Sequence, residues 1–422
     1  MFQKFISTFV VGKKPSGILC FMWQDSYRPE VADSMHHNSN RRVPTARSMV
    51  VGLILAVAAT AAADTVDINS LLLYSEQETI VLQRDSFYFG AIAAKQDVDI
   101  KERVRTDAVY SEANVSFGDD AVVRGRVLAN AVATAGMRLD FVGSDFTGNT
   151  VNINTDATIQ GDVQARSDTM ALQSGATVTG SLLGNRDVAV GDNSTIYGDA
   201  SAGIGYNLIF GANVTVTGST DPLDKAIAAF TLPLMPAEPT RPRIGRTNVR
   251  GSAESTVTLA PGSYKDLSIE QDSVLNLSSG TYVFKSFWMA KRGIVNVDTS
   301  GGDVVINVTS GFDTGQYVQF NPSGEGKVII NVHGNGGVWL GLGNMMKANM
   351  FVWNGIFGAD KNLQFMGTIL AKKNISIDEG AALYYSQGGG NYQGVPEPIS
   401  LAVLAAGAVM MLLRRRRRHV VT

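Results

Sequence analysis

The sequence predicts an all-β protein, a β-solenoid (parallel β-helix-like) with coils of about 18–20 residues. Three observations predict it. A glycine preceded by an alternating Val/Ile/Thr segment recurs at Gly125, Gly143, Gly161, Gly180, Gly198 and Gly218. The chain carries 44 glycines with only 18% charged and 8% aromatic residues, a composition suited to short strands and many turns. No segment of the body sustains a 3.6-residue apolar period over a dozen residues, which excludes a helical solenoid.

Taken in order, residues 1–48 carry no structural pattern and are read as a start-site artefact or as the charged n-region of a leader. Translation is expected to begin at Met35. Residues 49–63 run from Met49 through an apolar segment to Ala61 and Ala63, the small residues that flank a signal-peptide cleavage site before Asp64. A signal helix is expected there, with an uncleaved membrane anchor as the alternative. Cys20 is the only cysteine and precedes that site. The exported chain would then have no disulfide, no thiol nucleophile and no cysteine zinc site.

Residues 64–219 form the first solenoid block. Asp120-Ala121-Val122-Val123-Arg124-Gly125 is echoed by Asp156-Ala157-Thr158-Ile159-Gln160-Gly161 and by Gly175-Ala176-Thr177-Val178-Thr179-Gly180. Each coil is expected to hold two or three strands whose alternate side chains stack inward. Glycine is expected at the corner, either with φ > 0 or in close packing on its neighbour. Residues 220–256 hold Pro222, Pro233, Pro236, Pro239 and Pro242, and read as a connection crossing or bracing the solenoid, with a short helix over Asp224 to Phe230. Residues 257–390 are the second block. Leu259-Ala260-Pro261-Gly262-Ser263-Tyr264 is echoed by Leu277-Ser278-Ser279-Gly280-Thr281-Tyr282. Strands are predicted over 294–297, 304–308, 328–332, 350–353 and 375–377. A run from Gly90 matches one from Gly367, so the halves are versions of one coil type, in one solenoid or in two packed blocks.

Residues 391–422 close the chain with Val395, Pro396, Glu397 and Pro398, an uncharged run from Ile399 to Leu413, and Arg414, Arg415, Arg416, Arg417 and Arg418. The prolines forbid a helix before Ile399. The apolar run predicts a single membrane helix, short of the ~20 residues that span comfortably, and the arginines act as its stop-transfer block. This tail resembles the PEP-CTERM sorting signal of Gram-negative bacteria that make extracellular polysaccharide. The resemblance implies export, transient anchoring in the inner membrane, and recognition of the Pro-Glu-Pro motif by an exosortase-type processing enzyme. It also implies a final place at the cell surface or in the extracellular matrix. Residues 85 to 390 are similar to bacterial β-solenoid surface proteins, and bactofilin-like polymerising proteins and ice-binding-type adhesin domains share the same look. That group implies a scaffold role and brings no catalytic residues.

Net charge is −2, but without the basic ends the body sits at about −11, which gives it no electrostatic reason to bind nucleic acid. Candidate acid–base groups are Asp97 with Asp99, Asp119 with Asp120, and Asp378 with Glu379, each better read as a coil corner or a solvated strand edge. His333, before Gly334-Asn335-Gly336-Gly337, reads as a turn residue. The glycines around Gly341 and Gly343 do not form a phosphate-binding loop, and no zinc-protease, nucleophile-elbow or calcium-loop motif occurs. No cofactor and no metal site are expected. Thr177 with Thr179 and Thr215 with Thr217 offer an outward hydroxyl array for ice or sugars. Aromatics at Phe87-Tyr88-Phe89, at Phe284 with Phe287 and Trp288, and at Phe351 with Trp353 are core rings, or a carbohydrate platform if they face outward. The expectation is a non-enzymatic structural or interaction protein, associated with exopolysaccharide and capable of self-association. A polysaccharide-active enzyme and an ice-binding adhesin are the alternatives.

Overall fold

The computed structural model describes residues 64–222, 227–322 and 326–386. The signal segment, Ala61 and Ala63, the Val395–Pro398 motif and Arg414–Arg418 lie outside the described residues. Among the described residues no helix is long and apolar enough to cross a membrane.

Each coil is three short strands at the sides of a triangle. In one coil they are Leu71–Ser75, Ile80–Leu82 and Phe87–Phe89, and in the next they are Ala91–Ala94, Val98–Ile100 and Arg105–Thr106. These three positions define a first, second and third face. All strands pair in parallel with the equivalent strand of the neighbouring coil. The second face is a single 15-stranded sheet, which at ~4.8 Å per strand is about 70 Å long.

The order of strands in that sheet does not follow the chain. Ile80–Leu82 lies in its middle, paired on one side with Val98–Ile100 and on the other with Ile375–Ile377. From there the first half stacks outward to Leu208–Phe210 at one end. The chain then returns along the outside, re-enters at Val249–Gly251 at the opposite end, and stacks back to the middle. The two halves are one solenoid. The matching runs at Gly90 and Gly367 belong to coils that sandwich the Leu71–Ser75 strand, which pairs with both.

Inward positions alternate along every strand and merge into one core that runs through both halves. In the second half it is aromatic. Phe287 and Phe312 stack 4.4 Å apart at 12°, with Phe284 and Phe320 edge-on or tilted around them. The predicted strands over 294–297, 304–308, 328–332 and 375–377 match the observed ones, and the fifth is the longer Met345–Val352.

The corner between the second and third faces holds one left-handed residue in every coil. In the first half these are Asp85, Arg103, Asp120, Arg138, Asp156, Gly175, Asn193 and Asn213, and the second half continues with Glu254, Asp272, Arg292, Tyr317, Gly343, Asn362 and Gly380. Their φ values lie between 53° and 77°. The left-handed turn is therefore made by the first residue of the repeated six-residue motif, not by its closing glycine. That glycine serves the other expected purpose, close approach. A Cβ on Gly143 would sit 1.9 Å from the carbonyl oxygen of Gly125, and one on Gly161 would sit 2.2 Å from that of Gly143.

The proline-rich return lies along the first face as a strap. Phe230–Thr231 pairs with Asp64–Thr65, so the described part of the expected Asp224 to Phe230 helix is extended instead. The Phe230 ring packs on Tyr110, and Phe230, Leu232 and Met235 join Leu71, Tyr74, Trp353 and Leu370 in a second apolar cluster. Tyr74 and Asn130 donate to the carbonyls of Pro233 and Phe230, while Glu76 and Glu112 accept the Met235 and Leu232 N–H groups. Prolines suit this role, since a strap on a sheet face needs few ladder donors.

Candidate functional site

The carboxylates singled out in the sequence tie coil to coil. Asp120 takes both arms of the Arg138 guanidinium at 2.6 and 2.8 Å, and Asp119 accepts the Met137 N–H. Asp97 accepts from the Asn114 side chain at 2.8 Å, and Asp99 from Ser116 at 3.0 Å and from Lys101. Glu379 bridges Lys361 and Arg84, whose hydrogen bonds hold its carboxyl down to about 2, while Asp378 sits beside it half-buried. Each of these except Asp378 is a surface tie between neighbouring coils. His333 is fully buried, with Nδ1 3.0 Å from Glu238 of the strap and Nε2 without a partner, so it anchors the strap.

The threonines form one clean column. Thr158, Thr177, Thr195 and Thr215 are in register on the third face. The next outward positions run Gln160, Thr179, Tyr197 and Thr217, so the second column is broken and the hydroxyl array is one residue wide. The aromatics divide by strand parity. Tyr88, Phe284 and Phe287 are core rings, and Trp353 is buried beneath the strap with Phe351 stacked on it. Phe89 faces outward and stacks on Tyr384 at 5.0 Å, and Trp288 also faces outward.

Trp288 belongs to a feature that the sequence reading missed. Outward residues on the second face form an in-register column, which in the second half reads Arg250, Ser268, Trp288, Asp313, Trp339, Gly358 and Ser376. The strands Ser286–Met289, Gly311–Thr314 and Gly337–Leu340 share one grammar. Their second and fourth residues point into the core and their third points out. Trp288 is 40% exposed and Trp339 51% exposed. Asp313 lies between them, accepts no hydrogen bond from the described residues, and has its carboxyl pushed up by burial. The Trp339 indole lies over Gly358, where a Cβ would be 2.5 Å from its ring atoms. The stacked Phe287 and Phe312 directly beneath fix the strands that carry the site. Two aromatic planes with a solvent-facing acceptor between them can bind a flat, hydroxyl-bearing ligand.

Residues 80–183 match the family model described as bactofilin, polymer-forming cytoskeletal. Among curated proteins, none matches the chain. A crystal structure of an ice-binding protein from an Antarctic bacterium, Flavobacteriaceae, aligns over 74% of this chain and 81% of that chain at 12% identity. Its TM-score is 0.18, a level at which the likeness carries no weight.

Proposed function

We propose that this chain is an exported structural protein that works by presentation. It is carried through the inner membrane, processed by an exosortase-type enzyme at Pro396–Glu397–Pro398, and takes its place with extracellular polysaccharide. There it self-associates into longer rods. The observation that carries this reading is the 15-stranded sheet itself, rigid, in register from end to end, and faced by ordered columns of side chains. Rods of this kind suit display and stacking. Similarity of residues 80–183 to a polymer-forming family supports the same reading. So does the use of Asp97, Asp99, Asp119, Asp120 and Glu379 as coil ties, which leaves each candidate pair of the polysaccharide-active alternative with at least one carboxylate already engaged.

Cell fractionation tests it. The intact chain should be found at the cell surface or in the matrix, shortened at its tail. Deleting Pro396–Pro398 should leave full-length protein in the inner membrane. Normal surface release of the deletion variant would defeat the sorting assignment.

A further inference from the structure

We propose that Trp288, Asp313 and Trp339 form a binding strip for a neutral polysaccharide chain lying along the solenoid axis, across the strands. The strands that carry the two indoles stand two positions apart, about 10 Å, a span suited to alternate rings of an extended glycan. Each indole offers its apolar face to the C–H face of one pyranose. Asp313 lies on the strand between the two indoles, its oxygens accept no hydrogen bond from the described residues, and sugar hydroxyls can donate to them. A half-buried carboxylate left unpaired is costly unless something donates to it.

Charge selects a neutral glycan. The body is acidic, at about −11, and an anionic polymer would meet both that field and Asp313 itself. The alternative occupant of an aromatic–carboxylate site is a quaternary ammonium, which needs rings within about 6 Å of one cation. Here Trp339 lies down over the neighbouring Gly358 instead of standing as a wall beside Asp313, so the two indole faces do not close on one cation. Gly358 is a positioning residue, because any side chain at that place must lift the indole.

This proposal rests on the matrix-protein reading for the source of the glycan, and the two fail separately. Deletion of the sorting motif does not touch the strip, and binding of oligosaccharides in solution does not depend on sorting. The test uses the purified full chain and follows binding by isothermal titration calorimetry with cellohexaose, mannohexaose, xylohexaose and laminarihexaose, with choline as the competing probe. At least one hexaose should bind. Trp288→Ala and Trp339→Ala should each weaken binding about tenfold. Asp313→Asn should have a smaller effect, and Gly358→Val should match the loss of Trp339. Tyr197→Ala, an exposed aromatic on another face, should leave affinity unchanged. Circular dichroism confirms that each variant keeps its β-sheet. No binding to any of the four hexaoses, equal binding by the Trp288→Ala/Trp339→Ala double variant, or saturable binding of choline alone would each overturn the proposal.

Discussion

A left-handed backbone at the same corner of every coil is met by residues of unequal suitability. Asn and Asp tolerate it, glycine is indifferent to it, and Arg or Tyr adopt it at a cost of about 1–2 kcal/mol. At Arg103, Arg138 and Arg292 the strain is offset by a two-pronged pair to the left-handed Asp of the coil before, namely Asp85, Asp120 and Asp272. Replacing Asn193 by Val, whose branched Cβ is least compatible with φ 57°, should cost about 1–2 kcal/mol in a urea titration. Asn193→Gly should stay within a few tenths of a kcal/mol of the parent. Equal midpoints for the two variants would contradict this account. The paired aspartates also set a pH dependence. Arg103, Arg138 and Arg292 hold the carboxyls of Asp85, Asp120 and Asp272 below their ordinary value. A depressed carboxyl contributes stability above its unfolded pKa, about 4, and loses it as pH falls towards the folded value. Stability should therefore decline below about pH 4, and Arg138→Gln should flatten that decline; superimposable acid profiles would refute the link. These corners were half legible in the sequence. The motif Asp120 to Gly125 marks the corner, but Asp is ordinary in any turn, and the closing glycine is the more conspicuous signal for one. Trp339 was hidden for a different reason. Gly337-Val338-Trp339-Leu340 repeats the parity of Ser286-Phe287-Trp288-Met289, but coils of 24 to 26 residues blur the 18-residue period there.

At the scale of elements, strands were legible because parity and β-branching coincide in them. Runs such as Val304–Val308 need no partner to be recognised. The strap is recognisable by its prolines, yet residues 227–230, the described part of the expected helix, are not helical. Local propensity favoured a helix there, but pairing with Asp64–Thr65 and packing of Phe230 on Tyr110 prevailed. The inner aromatic ladder should dominate stability in the second half. Phe312 is fully buried, and Phe312→Ala should cost about 3–5 kcal/mol, read as a shift in the denaturant midpoint. A loss below about 1 kcal/mol would show that the ladder can collapse around the gap. The strap is held differently, by Glu238 reaching His333 and Asn354. Burial raises the Glu238 carboxyl, but hydrogen bonds from Asn354, His333 and Arg241 outweigh it and hold it below its ordinary value. Its contribution is therefore present above about pH 4.5 and fades as the solution becomes more acid. Glu238→Ala should raise tryptic cleavage after Arg243 at neutral pH, while the Leu232 and Met235 amides, held by Glu112 and Glu76, stay protected from exchange. Uniform protection in the variant would mean that apolar contacts alone hold the strap.

At the scale of the whole molecule, the return of the chain along the first face has a consequence for assembly. A solenoid built from one continuous progression has its termini at its ends. In this protein the first and last described coils meet in the middle, where Ile80–Leu82 pairs with Ile375–Ile377. Both ends of the stack are therefore formed by internal coils. Among the described residues, Leu208–Phe210 and Thr215–Val216 at one end pair on one side only, as do Val249–Gly251 and Thr256–Leu259 at the other. The first end also exposes Ile204, Tyr206, Ile209 and Phe210. Unpaired strand edges joined to exposed apolar side chains are templates for further pairing. Because all strands run parallel, the two ends are not equivalent, and joining one to the other continues the sheet without closing it, as in an open filament. Sedimentation of the purified chain should show species growing with concentration, and the Ile209→Glu/Phe210→Lys double variant should sediment as a single unit. The strip at Trp288 and Trp339 lies on a sheet face, away from these edges, so the double variant should bind glycan as the parent does. A variant that still grows with concentration would place the contact elsewhere and remove the unpaired end as its cause.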